Sequence, residues 1–328
     1  MAFTAIDDSG SYFTVYTWTG DGVNGRALTG VGFQANMMWS KINDGHEHSV
    51  IDTVRGVDNR RLKTNTAAAE DEGNTHGHFD SLDSDGFTVT TGGGDYNVNR
   101  NTSAYVGWFW KESATAGFDI VAYTGSGSAK TEAHSLSAVP NFMIVKNRDA
   151  SSDWRIFTDA GGNTKWLQLN DDSALQTAST IWNDTSPTSS VFSVGTSGGV
   201  NTDGVAYIAY LFSAKQGFSK FGSYEGNGDA DGTFVYTGFR PAWVMCKSID
   251  STSAWEIFDN KRLGYNVDNN AFVANTSDAQ ATTDQIDLLS NGFKFKIATD
   301  PNVAETYIYA AFAKAPFVNS NGVPCNAR

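Results

Sequence analysis

Three stretches of this chain carry the same landmarks in the same order, and no other feature restricts the fold as much. "WTGDG" (18–22), "YTGSG" (123–127) and "YEGNG" (224–228) each set an aromatic residue before Gly-x-Gly. A lysine follows the first glycine at a fixed interval, giving Lys41, Lys146 and Lys247, each at the end of an apolar run ("ANMMWSK", "PNFMIVK", "PAWVMCK"). Next come "SVIDTVR", "WRIFTDA" and "WEIFDNK", then Asn65, Asn170 and Asn275, spaced 105 residues apart in both steps. Phe87, Phe192 and Phe293 follow, and each unit closes on an aromatic run that opens with Tyr105, Tyr207 or Tyr307. The units are 14–115, 118–217 and 219–318, with an arm (1–13), a tail (319–328) and joints of a few residues. A chain with such self-similarity is a tandem array of one supersecondary unit.

Within a unit the apolar period is two, as in "WRIFTD" and "FKFKIA", while "FMIV" and "YIAYLF" read as strands buried on both faces. No segment keeps a helical pattern for three turns. Glycine is abundant (33), proline scarce (6), and aromatics reach 13%, a profile of short strands and tight turns. The expected fold is all-β: three tandem antiparallel β-sandwiches, jelly-roll or lectin-like, one per unit.

The formal charge of −13 weighs against nucleic acid and anionic membranes as partners. No apolar run approaches the roughly 20 residues of a bilayer span. The N-terminal stretch lacks the basic and apolar regions of a secretory signal, so synthesis in the cytoplasm is expected. The two cysteines form no disulfide framework and no CxxC pair, and Cys246, inside "AWVMCK", reads as a small buried hydrophobe.

Candidate sites are few. Asn227, Asp229, Asp231 and Gly232 have the spacing of half an EF-hand loop, but the twelfth position is Gly238 where a bidentate acid is required. The aligned turns keep Gly-x-Gly and lose the acids, so turn chemistry with φ > 0 is the better reading. Asp80, Asp83 and Asp85 in "FDSLDSDGF" are a weak cation candidate beside a hairpin turn. His46 with His48, and His76 with His78, are His-x-His pairs, which a strand would point to one face as zinc or nickel requires. Trp18, Trp166 and Trp182 are candidates for stacking on sugar rings. No hydrolase motif, metal-protease motif or P-loop is present. A glycosidase would need two carboxylates about 5–9.5 Å apart, which sequence cannot pair. No catalytic residue and no cofactor is assigned. The repeated lysines read as strand ends with heads in water, and the asparagines as turn or cap residues.

The runs "AIDDSGSYF", "HSVIDTVRG", "FDSLDSDGFTV", "YVGWFWK", "WNDTSPTSSVFSVG" and "YIYAAFAKAPF" together resemble an uncharacterised β-domain family found in virion-associated proteins of marine tailed bacteriophages. The resemblance runs from about residue 5 to the C-terminal "NAR". It implies a lectin-like or SPRY-like sandwich and a non-enzymatic structural role on the virion exterior, as capsid decoration, head fibre or tail appendage. The alternatives are a host-glycan-binding adhesin and an envelope-degrading glycosidase. The implied partners are other virion proteins, with host glycan and self-association as further options, and the arm and tail as docking strands. The first unit departs from the pattern: "GFQANMMWSK" lacks the proline of the other two, and "HEH" replaces a plainer loop.

Overall fold

The computed structural model describes residues 4–58, 60–71, 75–93, 98–262, 266 and 270–325. Its regular secondary structure is almost wholly antiparallel strand. The first segment holds β1 (Phe13–Thr19), β2 (Arg26–Thr29), β3 (Met37–Ile42), β4 (Ser49–Asp52), β5 (His78–Asp83), β6 (Gly86–Thr90) and β7 (Ala104–Trp110). The second holds β8 (Phe118–Thr124), β9 (Lys130–Ala133), β10 (Phe142–Asn147), β11 (Arg155–Thr158), β12 (Lys165–Gln168), β13 (Gln176–Thr177), β14 (Val191–Val194) and β15 (Ala206–Phe212). The third holds β16 (Ser219–Glu225), β17 (Phe234–Tyr236), β18 (Phe239–Ser248), β19 (Glu256–Asp259), β20 (Ala271–Val273), β21 (Ile286–Leu289), β22 (Gly292–Phe295) and β23 (Thr306–Pro316).

Each segment makes a larger and a smaller sheet, and corresponding strands take corresponding places. The larger sheets run β1-β7-β3-β4, β8-β15-β10-β11-β12-β13 and β16-β23-β18-β19-β20. The smaller run β2-β6-β5, β9-β14 and β17-β22-β21.

The repeated landmarks now have physical meanings. The aromatic residue before each Gly-x-Gly lies opposite the tyrosine that opens the closing aromatic run. The rings stack: Trp18 on Tyr105 at 5.1 Å, Tyr123 on Tyr207 at 5.2 Å and Tyr224 on Tyr307 at 5.0 Å between centroids. Phe87, Phe192 and Phe293 are fully buried between the two sheets of their segments.

The two glycines of the turn have different duties. The second has φ near +70° in all three copies (Gly22, Gly127, Gly228). The first has an ordinary φ but lies against backbone: a Cβ on Gly20, Gly125 or Gly226 would sit about 2 Å from the carbonyl oxygen of Arg100, Thr202 or Val303.

Three separate sandwich cores do not describe the packing. The outer faces of the three larger sheets meet in one cluster. Phe13 stacks on Phe312 at 5.0 Å, Phe142 on Phe221 at 5.9 Å, and Trp110 meets Trp243 at 5.8 Å and Phe212 at 6.4 Å. The larger sheets are therefore covered on both sides, which is why β3 and β10 are buried at every position.

The arm also packs onto this body. Ile6 is buried in the shared core, the Thr4 hydroxyl donates to the Gln216 carbonyl, and Asp7 accepts from the Ser320 amide at 2.7 Å. The arm thus bonds to the tail and to the joint between segments two and three.

Candidate functional site

The seams between segments are where the repeated polar residues converge. The side-chain oxygens of Asn65, Asn170 and Asn275 accept from the amides of His48, Trp154 and Trp255 at 3.1, 2.9 and 2.9 Å. These three ring residues occupy equivalent places, and each ring crosses to a neighbouring segment. Trp154 Nε1 donates to the Lys63 carbonyl at 2.9 Å, and Trp255 Nε1 to the Gln168 carbonyl at 2.7 Å. His48 completes the circuit: its Nδ1 accepts from Trp39 Nε1 at 2.9 Å, so Nε2 carries the proton and faces the Val273 carbonyl at 3.0 Å. Second reaches first, third reaches second, and first reaches third.

The lysines belong to the same seams. Lys41, Lys146 and Lys247 are buried, not water-seeking strand ends. Their ammonium groups donate to backbone carbonyls, including Ser277 for Lys41 and Ala67 for Lys146, both in a neighbouring segment. Burial pushes all three down to about 8, against nearby carboxylates such as Asp278, Asp153 and Asp300.

The histidines do not form one cluster. His48 has both nitrogens engaged and is fully buried, and burial followed by the Lys41 charge pushes it down to about 3. That leaves no lone pair for a metal. The His46 carbonyl accepts from Lys41, and burial lowers the His46 imidazole. His76 is half-buried in the turn before β5. His78 is the one placed with carboxylates, its Nε2 2.8 Å from Asp80 and 3.6 Å from Asp58. These three ligand atoms lie within 4.8 Å of one another, an imidazole-and-two-carboxylate set compatible with zinc. Asp58 carried no sequence signal, because it reaches His78 from a different loop.

The acids serve turns. Asp83 accepts from Ser81 at 2.7 Å and Thr88 at 2.9 Å, and Asp85 from the Gly32 amide at 2.6 Å. In "EGNGDADG", Asn227 accepts from the Asp229 amide and Asp229 from the Asp231 amide, a chain of Asx turns. Gly232 has an ordinary φ and lies against the Phe295 carbonyl.

Three buried asparagines that the sequence did not single out, Asn99, Asn201 and Asn302, pin the Gly-x-Gly turns through the amides of Asp21, Ser126 and Asn227. Their signal was one asparagine five or six positions ahead of each closing tyrosine.

The tryptophan candidates do not offer open faces. Trp18 is 6% exposed and stacked on Tyr105, and Trp182 is 1% exposed with its Nε1 on the Lys165 carbonyl. Trp166 is covered by the Arg155 guanidinium, 4.3 Å above the ring. Stacking on a sugar needs an uncovered ring face, which none of the three offers.

Residues 8–316 match a family described as a domain of unknown function, DUF7483. The chain belongs to that family. No curated protein matches the sequence. Among solved structures, the flagellar hook junction protein FlgK from Burkholderia pseudomallei aligns at 11% identity over 66% of this chain and 45% of that one. Its TM-score is 0.11, too low for any argument, and the chain spans less than half the length of that protein.

Two carboxyls of this DUF7483 chain are displaced toward neutrality. Burial, with the Asp300 charge behind it, pushes Glu256 up to about 7. Burial and a hydrogen bond with Asp119 do the same for Glu112. Two open clefts stand out on the surface. One, about 340 Å³, lies between Lys220, Tyr236 and the end of the third segment at Phe317 and Val318. The other, about 430 Å³, lies at the seam of segments one and three. Among the described residues no helix is long and apolar enough to cross a membrane.

Proposed function

We propose that this protein is a non-enzymatic structural protein on the exterior of a tailed-bacteriophage particle. One observation carries the non-enzymatic half: the residues repeated three times, which are the ones a repeated function would use, close the seams and turns of the body. Lysines, asparagines and rings at equivalent places bind backbone in the same or the neighbouring segment. The placement on a particle rests on the sequence resemblance to marine-phage virion proteins. A body with a shared core and bonded ends suits a part exposed to the medium, since few segments are free to open. The test is electron microscopy of intact particles with a gold-conjugated antibody raised against this chain. Label on the capsid or tail exterior is the expected result. Label absent from intact particles, with the protein abundant in the lysate supernatant, would refute the proposal.

A further inference from the structure

The three seams bring equivalent positions together and fill them with different chemistry. The amides of Glu70, Leu175 and Gln280 donate to the carbonyls of Arg148, Ile249 and Asn43 at 2.8, 3.0 and 2.9 Å. At the first seam the side chains form ion pairs, with Glu70 2.8 Å from both Arg55 and Arg148. At the second, Leu175 and Ile249 pack on the shared core. At the third, Gln280 accepts from Arg262 at 3.1 Å, but the Asn43 Oδ1 is buried without a partner. Asn270 Oδ1 and Trp18 Nε1 are likewise buried and unpartnered, and Asn270 is only 2% exposed. All three residues line the cleft of about 430 Å³, together with Lys261 and Arg262. A buried, unpaired amide oxygen costs about 1–3 kcal/mol, and the other two seams avoid it.

We propose that this cleft binds a saccharide bearing a carboxylate. A sugar hydroxyl both donates and accepts, so one or two rings can donate to Asn43 and Asn270 and accept from the Trp18 indole. An apolar ligand would leave these groups unpaired, and a fully ionised phosphate has no proton to donate to the amide oxygens. Arg262 is already held by Asp259 at 2.7 Å, whereas Lys261 is exposed at the cleft wall. No carboxylate lines the cleft among the described residues, in a chain of net charge −13. The volume falls within the roughly 300–1,000 Å³ of ligand pockets. The site goes beyond the structural role proposed above and stands whether or not the protein is mounted on a particle.

The test is calorimetric titration of the full chain with two matched pairs: digalacturonate against galactobiose, and glucuronosyl-glucose against cellobiose. At least one acidic member is expected to bind more tightly than its neutral match. Lys261→Gln, at an exposed position, should weaken that acidic sugar about tenfold and leave thermal stability unchanged. Asn43→Leu should weaken acidic and neutral sugars alike. Absence of binding by both acidic sugars, equal binding within both pairs, or unaltered affinity in Lys261→Gln would each overturn the proposal.

Discussion

Acidification should open the seam that His48 closes. The imidazole is held neutral in the fold, down at about 3, by burial and by the Lys41 charge. In the unfolded chain it titrates near its ordinary 6.5. Between those values the unfolded state binds a proton that the folded state refuses, so stability falls as pH falls. The full loss is on the order of 5 kcal/mol, and at pH 4.5 about 3 kcal/mol. The other segments show how to remove this dependence. They place Ile144 with Trp154 and Met245 with Trp255, where the first places Trp39 with His48. The double change Trp39→Ile, His48→Trp restores the partners used elsewhere and deletes the titrating group. The single change His48→Trp should be worse than either, because Trp39 then loses its acceptor and its space. Urea denaturation of the native chain and the double variant at pH 7.5, 5.5 and 4.5 isolates the effect, since their carboxylates are shared. The native chain should lose about 3 kcal/mol more than the double variant by pH 4.5. Parallel pH profiles would refute the placement of a neutral, bonded His48 in the seam.

Further outcomes follow from the turns, the core and a buried acid. Gly125→Ala should cost about 3 kcal/mol or more, because its Cβ would meet the Thr202 carbonyl. Gly127→Ala, where only φ is at issue, should cost about 1–2 kcal/mol by chemical denaturation. Phe192→Ala should cost about 3–5 kcal/mol, and an unchanged melting temperature would contradict its burial. Glu256, raised to about 7, keeps its proton in the fold when the unfolded chain has lost it, so its contribution declines as pH rises from 4.5 to 7. Glu256→Gln should match the native chain at pH 4 and exceed it by about 3 kcal/mol at pH 8, read from paired denaturation curves.

Much of the architecture was legible because the landmarks are local. A strand buried on both faces shows as an unbroken apolar run, and "FMIV" and "YIAYLF" announced theirs correctly. A turn that needs glycine shows as glycine. What the sequence hid is what crosses between segments. Lysines at strand ends ordinarily reach water. Lys41, Lys146 and Lys247 do not: all three are buried, with Lys41 and Lys146 bonded to carbonyls of a neighbouring segment and Lys247 to the carbonyls of Ser248 and Ser251. Trp18 looked available for stacking because the tyrosine that covers it lies 87 positions away, across the β1–β7 pair. The His-x-His pairs looked like ligands because nothing local reveals that His48 substitutes for a tryptophan. Asp58, His78 and Asp80 meet only through the packing of a loop against β5.

The central claim is that three β segments form one body, joined by a common core and a circuit of seam bonds. Differential scanning calorimetry of the full chain tests it most directly. The account predicts a single endotherm with calorimetric and van't Hoff enthalpies in agreement, and an excised 118–217 fragment that gives no cooperative transition. Three resolved endotherms, together with a fragment that melts cooperatively alone, would contradict it.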